Sequence, residues 1–131
     1  KTGIPFSLLI LDIDHFKRVN DTFGHQVGDE VLAQLAQILD AQARPSDVVA
    51  RYGGEEFVII LPDTSVDDCW TIAEQLRQTV EQAQWQTGRI TISIGIATAT
   101  ENDSDATILK KADQALYTSK ENGRNKVSLF E

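Results

Sequence analysis

Four carboxylates and four cations in this sequence have the types and spacing to do chemistry together. Asp12 and Asp14 stand one residue apart at the end of an apolar run, and Glu55 and Glu56 follow Gly53-Gly54. Carboxylates that leave coordination positions open suit Mg²⁺, which takes oxygen ligands and keeps water or phosphate oxygens for the rest. Two such ions can clamp an in-line phosphoryl displacement, one at the attacking hydroxyl and one at the triphosphate. The cations that could meet a polyphosphate are Lys17, Arg51, Lys120 and Arg124. Taken alone, Gly-Gly followed by glutamates fits an ordinary solvated hairpin as well as a metal site. Asp-x-Asp is a weaker metal signal still.

The elements decide whether these groups can meet. Phe6 to Ile13 is a short apolar run and reads as a buried strand, with Asp12 and Asp14 on one face. Phe16 to Phe23 reads as a short helix ending at Gly24. Asp29 looks like the start of the next helix, whose apolar positions are Val31, Leu32, Leu35, Ile38 and Leu39. Pro45 and Ser46 break it. Asp47 to Tyr52 and Phe57 to Leu61 read as a hairpin bent at Gly53-Gly54, where glycine permits a tight bend and close approach of a ligand. Ser65 with Asp68 resembles a capping box before a helix with Val66, Cys69, Trp70, Ala73, Leu76 and Val80 inward. Arg89 to Thr98 alternates Ile90, Ile92, Ile94 and Ile96 with other residues, a strand pattern. A helix over Ser104 to Asn122, a Gly123 cap and a strand over Asn125 to Phe130 complete the chain. The order β-α-α-β-β-α-β-α-β predicts an α+β sandwich: a mixed central sheet flanked by helices, with a ferredoxin-like core. If the hairpin lies beside the first strand, Asp12 and Glu55 meet at one sheet edge.

Composition narrows the function classes. The chain has 131 residues and fits one domain, 41% of it hydrophobic and 24% charged. A net charge of −8 argues against a duplex nucleic-acid binder. Polyphosphate binding stays open, because it needs only a local cluster of donors and metal ligands. The one cysteine, Cys69, forms no internal disulfide, suits a reducing cytoplasm and is expected to be a small buried residue. Lys1-Thr2-Gly3-Ile4-Pro5 has neither an initiator Met nor a signal-peptide pattern. His15 and His25 lack metal-ligand spacing and are expected in structural or rim roles. Trp70 is expected in the core, and Trp85 at core or surface.

Six segments in order carry a resemblance. They are Leu11-Asp12-Ile13-Asp14-His15-Phe16-Lys17, Asn20-Asp21-Thr22-Phe23-Gly24-His25, Gly28-Asp29-Glu30, Arg51-Tyr52-Gly53-Gly54-Glu55-Glu56-Phe57, Thr91-Ile92-Ser93-Ile94-Gly95 and Lys120-Glu121-Asn122-Gly123-Arg124-Asn125. Together they resemble the GGDEF family of bacterial diguanylate cyclases over nearly the whole chain, 1–131. The resemblance implies a nucleotide-cyclase palm fold and condensation of two GTP into cyclic di-GMP and pyrophosphate. It implies two Mg²⁺ or Mn²⁺ ions per site, held by Asp12, the Ile13 carbonyl and Glu55, with catalytic roles for Glu55 and Glu56. Guanine would be read by Asn20 and Asp29. Phe16, Lys17, Gly53, Gly54, Lys120 and Arg124 would surround the rest of the substrate. Without the resemblance, the lysines and Arg124 read as solvated surface charges.

Arg44-Pro45-Ser46-Asp47 stands at the family's usual distance before Gly53 and resembles its inhibitory site, where Arg and Asp hold the product. A further Arg often joins them from the next helix; Gln75 occupies that place here, with Arg77 two residues on. The family's preceding helix and its Asp-x-Leu-Thr-Gly-Leu-x-Asn-Arg segment are absent. The chain is therefore expected to be one domain of a longer sensor protein, cytoplasmic, with or without a membrane anchor elsewhere. A homodimer is expected to be needed for turnover. The alternative is a silent domain that binds GTP or cyclic di-GMP without turning over.

Overall fold

The computed structural model describes residues 6–100 and 102–130. Lys1–Pro5, and with them the reading of the start of the chain, lie outside the described residues. The elements are β1 (Phe6–Ile13), α1 (Phe16–Phe23), α2 (His25–Gln42), β2 (Val48–Arg51), β3 (Glu56–Pro62), α3 (Val66–Gln82), β4 (Ile92–Thr98), α4 (Asp105–Glu121) and β5 (Val127–Leu129). Their order is the one expected from the sequence.

The sheet runs β2-β3-β1-β4-β5. β1 lies at its centre, antiparallel to β3 and β4, while β5 joins β4 in parallel. A central strand must bury both faces, and β1 is buried from Ser7 to Ile13, which is why it reads as a continuous apolar run. Leu9, Leu11 and Ile13 point to one face, with Ile59, Ile94 and Leu61, and pack on Leu35, Leu39, Ala73 and Leu76 of α2 and α3. Leu8, Ile10, Val58 and Ala97 point to the other face, under Ile108, Ala112 and Leu116 of α4. The mixed sheet with helices on both faces is therefore observed.

Gly95 explains how α4 comes so close. A Cβ there would overlap the Leu116 amide and the Ala112 carbonyl and come within 2.7 Å of the Ala115 carbonyl carbon. The alternation in β4 thus separates two buried faces, not a buried from a solvated one: Ser93 is fully buried on the α4 side.

Several boundaries differ from the sequence reading. α2 starts at His25 instead of Asp29, because Gly24 at φ 94° closes α1 through its N–H to the Asn20 carbonyl and opens α2 with no side-chain cap. β4 begins at Ile92, leaving Arg89 to Thr91 as a lead-in. Ser65 accepts from the Asp68 N–H at 3.2 Å as a cap. α4 is capped at its end by Asn122, with Gly123 following at φ 115°. Trp70 is 39% exposed on α3, a correction to the core expected for it. Trp85 is the buried tryptophan, its indole N–H donating to the Val80 carbonyl at 2.9 Å.

Candidate active site

The register brings the carboxylates together. Asp12 stands opposite Glu56 on β3 and opposite Ser93 on β4, on the face covered by α4. Its side chain is buried, and Oδ2 accepts from Lys120 Nζ at the end of α4. Asp12 Oδ1 is buried with no hydrogen-bond partner, the one such side-chain atom among the described residues. An unpaired buried carboxylate oxygen is costly unless a donor or cation fills the space before it.

Glu55 lies against Asp12. Burial first, and then the neighbouring Asp12 carboxylate, push its carboxyl up to about 7, against the pull of Lys120. Glu56 is also raised, by burial and then by the charge of Asp12, with Lys120 opposing and Asp113 adding. Three carboxyl groups thus share one ammonium, and an added divalent cation would relieve them. Among the described residues no three His, Cys, Asp or Glu side chains form a closed metal cage. That is compatible with Mg²⁺, which is commonly held by one or two carboxylates plus substrate phosphates. Asp12 with its orphan oxygen and Glu55 beside it fit such an ion.

The turn that carries Glu55 is closed by backbone. The Tyr52 and Gly53 N–H groups both donate to the Glu56 carbonyl, at 2.8 and 3.3 Å, and the Arg51 guanidinium donates to the Gly54 carbonyl. Neither Gly53 nor Gly54 has a positive φ, so the bend does not require glycine's backbone freedom, contrary to the sequence reading. What the glycines leave is room: nothing lies within 4 Å of a Cβ placed on Gly54, so the backbone stays open to a ligand.

Asn20 and Gly28 meet where α1 crosses α2. A Cβ on Gly28 would overlap Asn20 Oδ1, so glycine there lets the Asn20 amide lie directly on α2. Asp29, the next residue, is exposed on the rim of a cleft of about 340 Å³ lined also by Leu32, Val49, Arg51 and Phe57. Arg51 was visible in the sequence only as a cation two residues before the turn; the cleft shows that it shares a wall with Asp29. Phe16 is a core residue, 7% exposed. Ile13 likewise buries its side chain. Lys17 is exposed and pairs with Asp21 at 2.9 Å. Arg124 is exposed, in a left-handed turn after α4. A roomier groove of about 570 Å³, between Trp70 and α4, has no titratable lining residue and lies apart from the carboxylates.

Asp14 is on the Asp12 face, as expected, but it has other partners. Its carboxylate accepts from Thr91 Oγ1, Ser93 Oγ and the Asn125 N–H at 2.7, 2.6 and 2.9 Å. Arg44 and Asp47 satisfy each other. Arg44 Nη2 donates to Asp47 Oδ1 at 2.8 Å and to Thr64 Oγ1 at 2.7 Å, and the Arg44 N–H donates to Asp47 Oδ2 at 2.9 Å. Gln75 is exposed on α3, while Arg77 is held by Glu74, Glu81 and Asn125. Arg77 therefore does not take the place of the missing arginine.

The family profile described as diguanylate cyclase, GGDEF domain, matches residues 1–126. The chain belongs to the GGDEF family. This GGDEF domain is 48% identical over 132 residues to the response regulator PleD of Caulobacter vibrioides, covering 95% of the chain but 29% of that protein. The crystal structure of the GGDEF domain of DgcB from Caulobacter crescentus, in complex with c-di-GMP, is 40% identical. It superposes with a TM-score of 0.92 over 97% of this chain and 78% of that one. The active GGEEF domain of a diguanylate cyclase from Vibrio cholerae is 39% identical, with a TM-score of 0.92 over 97% of this chain and 83% of that one. The fold of this GGDEF domain is the nucleotide-cyclase palm. The chain spans about three tenths of the length of the curated relatives it matches. Among the described residues no helix is long and apolar enough to cross a membrane.

Proposed function

We propose that this GGDEF domain is a diguanylate cyclase that condenses two GTP molecules into cyclic di-GMP at the interface of two copies. The observation that carries this reading is the buried, unpartnered Asp12 Oδ1 beside Glu55, at the open Gly53-Gly54 turn and next to Lys120. Asp12, Glu55 and the Ile13 carbonyl would hold Mg²⁺ or Mn²⁺. When bound, the ions would polarise the attacking hydroxyl and neutralise the triphosphate.

The chain's own residues supply the rest. Asn20 and Asp29 orient guanine, a carboxylate accepting from the N1–H and N2–H that adenine lacks in that arrangement. Lys120 and Arg124 hold phosphate, with Lys17 and the backbone near Phe16 on the opposite side. Two facing domains each present one GTP. The 3′ oxygen of one GTP forms a bond to the α-phosphorus of the other, and the bond from that phosphorus to the bridging oxygen breaks, releasing pyrophosphate. The same exchange in the other direction closes the ring. Glu55 would help take the proton from the 3′-hydroxyl that the metal polarises. Glu56 adds negative charge behind it. Much of the rate gain comes from holding two triphosphates in line.

Arg44 and Asp47 form the proposed product site. Their mutual pairing presets the guanidinium fork, and 42% of the Arg44 side chain remains exposed to receive a phosphate or guanine edge. A sensor domain outside this chain would set the distance between two copies.

The test is incubation with Mg²⁺ and GTP, followed by chromatography of the products. Cyclic di-GMP and pyrophosphate should form, and Glu55→Ala should abolish both. Folded protein that binds GTP at high concentration yet forms no product would leave only the nucleotide-binding alternative.

A further inference from the structure

Gly123, Arg124 and Asn125 follow α4 with φ values of 115°, 64° and 49°. Residues with a Cβ keep a left-handed backbone only where the surroundings over-determine it. Here they do. The Arg124 N–H donates to the Ser119 carbonyl at 2.9 Å. The Asn125 side chain accepts from Arg77 Nη1 and donates to Glu81 Oε2, each at 3.1 Å. The Asn125 N–H donates to Asp14 Oδ2 at 2.9 Å.

Asp14 is the buried member of this set, 6% exposed. A carboxylate only accepts, and three donors from three places converge on it: Thr91 before β4, Ser93 within β4, and the turn at Asn125. Its own N–H donates to the Thr91 carbonyl at 3.0 Å. Asp14 is thus committed to joining the end of β1 to the turn after α4. Its neighbour two residues back, Asp12, holds Lys120 from the same helix end.

We propose that Asp14 is a positioning residue for triphosphate binding. It pins the Gly123–Asn125 turn and so fixes where Arg124 and the Lys120 end of α4 stand relative to Asp12. The inference rests on the GTP-binding reading above. It assigns Asp14 no contact with substrate.

The test measures binding of GTP with Mg²⁺ by calorimetry, and of guanosine by NMR titration, in folded protein. Asp14→Ala should weaken GTP binding at least tenfold and leave guanosine within twofold. Asp14→Asn, which keeps an acceptor oxygen for the Asn125 N–H, should recover affinity to within about threefold of the unmodified domain. In an Arg124→Ala background, Asp14→Ala should cost clearly less than it does alone, because part of its effect runs through Arg124. Where Asp14→Ala does not hold its fold, Thr91→Val with Ser93→Ala strips the hydroxyls that aim the carboxylate. That pair should give the same selective loss. Unchanged GTP affinity, equal loss of GTP and guanosine, or full additivity with Arg124→Ala each overturns the inference while leaving the cyclase reading standing. An unmodified domain that binds no GTP overturns both.

Discussion

Gly28→Ala should separate nucleotide recognition from stability. Gly28 sits inside α2 with an ordinary helical backbone, so alanine adds helix propensity, about 0.5–1 kcal/mol. The new Cβ would overlap Asn20 Oδ1, fall 3.1 Å from Asn20 Cγ and 3.3 Å from Phe16 Cζ. The Phe16 contact needs a shift of only a few tenths of an ångström. Asn20 must swing its amide away altogether. The two effects on folding nearly cancel, and a melting temperature within about 4 °C of the unmodified domain follows. The loss falls on guanine. A base edge left without its hydrogen-bond partner costs about 1–3 kcal/mol, so GTP affinity should drop about tenfold or more. Calorimetric titration with GTP and a thermal melt on the same sample read both quantities. Asn20→Ala should produce a similar loss, and combining the two should add little. Unchanged GTP affinity in Gly28→Ala would refute the role given to Asn20. A fall in melting temperature beyond about 10 °C would show that Gly28 serves packing instead.

Gly95→Ala should act in the opposite way: the clash is with the α4 backbone, which cannot rotate aside, and a loss of more than about 3 kcal/mol in urea unfolding is expected. If Arg44 and Asp47 form the product site, Gln75→Arg, which puts on α3 the arginine that the family site often recruits from that helix, should lower the concentration of cyclic di-GMP that half-inhibits turnover about tenfold, read in an initial-rate titration. Burial pushes the Cys69 thiol up to about 12, so alkylation by iodoacetamide at pH 8 should be negligible in the native state and appear only on unfolding in denaturant, followed by mass spectrometry.

Local patterns made much of this molecule legible. β1 announced itself as an unbroken apolar run because both of its faces are buried, and the Ile92, Ile94, Ile96 series marked β4. The pairing of Asp12 with the hairpin followed once β1 and β3 were neighbours. Other features had no local signature. α2 begins at a glycine with no capping side chain, so the charge of Asp29 was a false start signal. The two tryptophans differ in burial because Trp85 finds the Val80 carbonyl, in the last turn of α3, for its indole N–H, whereas Trp70 lies on the outer side of α3. Of the two uses the sequence suggests for Gly53 and Gly54, the φ values do not need the backbone freedom, while the open space at Gly54 fits the close approach of a ligand. Asp14 and Asn125 are 111 positions apart, and only the folded sheet shows that one holds the other.

The most direct measurement of the central claim is the initial rate of cyclic di-GMP formation at saturating Mg²⁺ and GTP across a wide range of domain concentration. Two half-sites that must meet predict a rate rising faster than in proportion to protein, approaching the square while copies are mostly separate. A mixture with excess Glu55→Ala domain should then suppress the rate by occupying partners. A rate strictly proportional to concentration from the most dilute sample upward, unaffected by the variant, would contradict a site built from two copies.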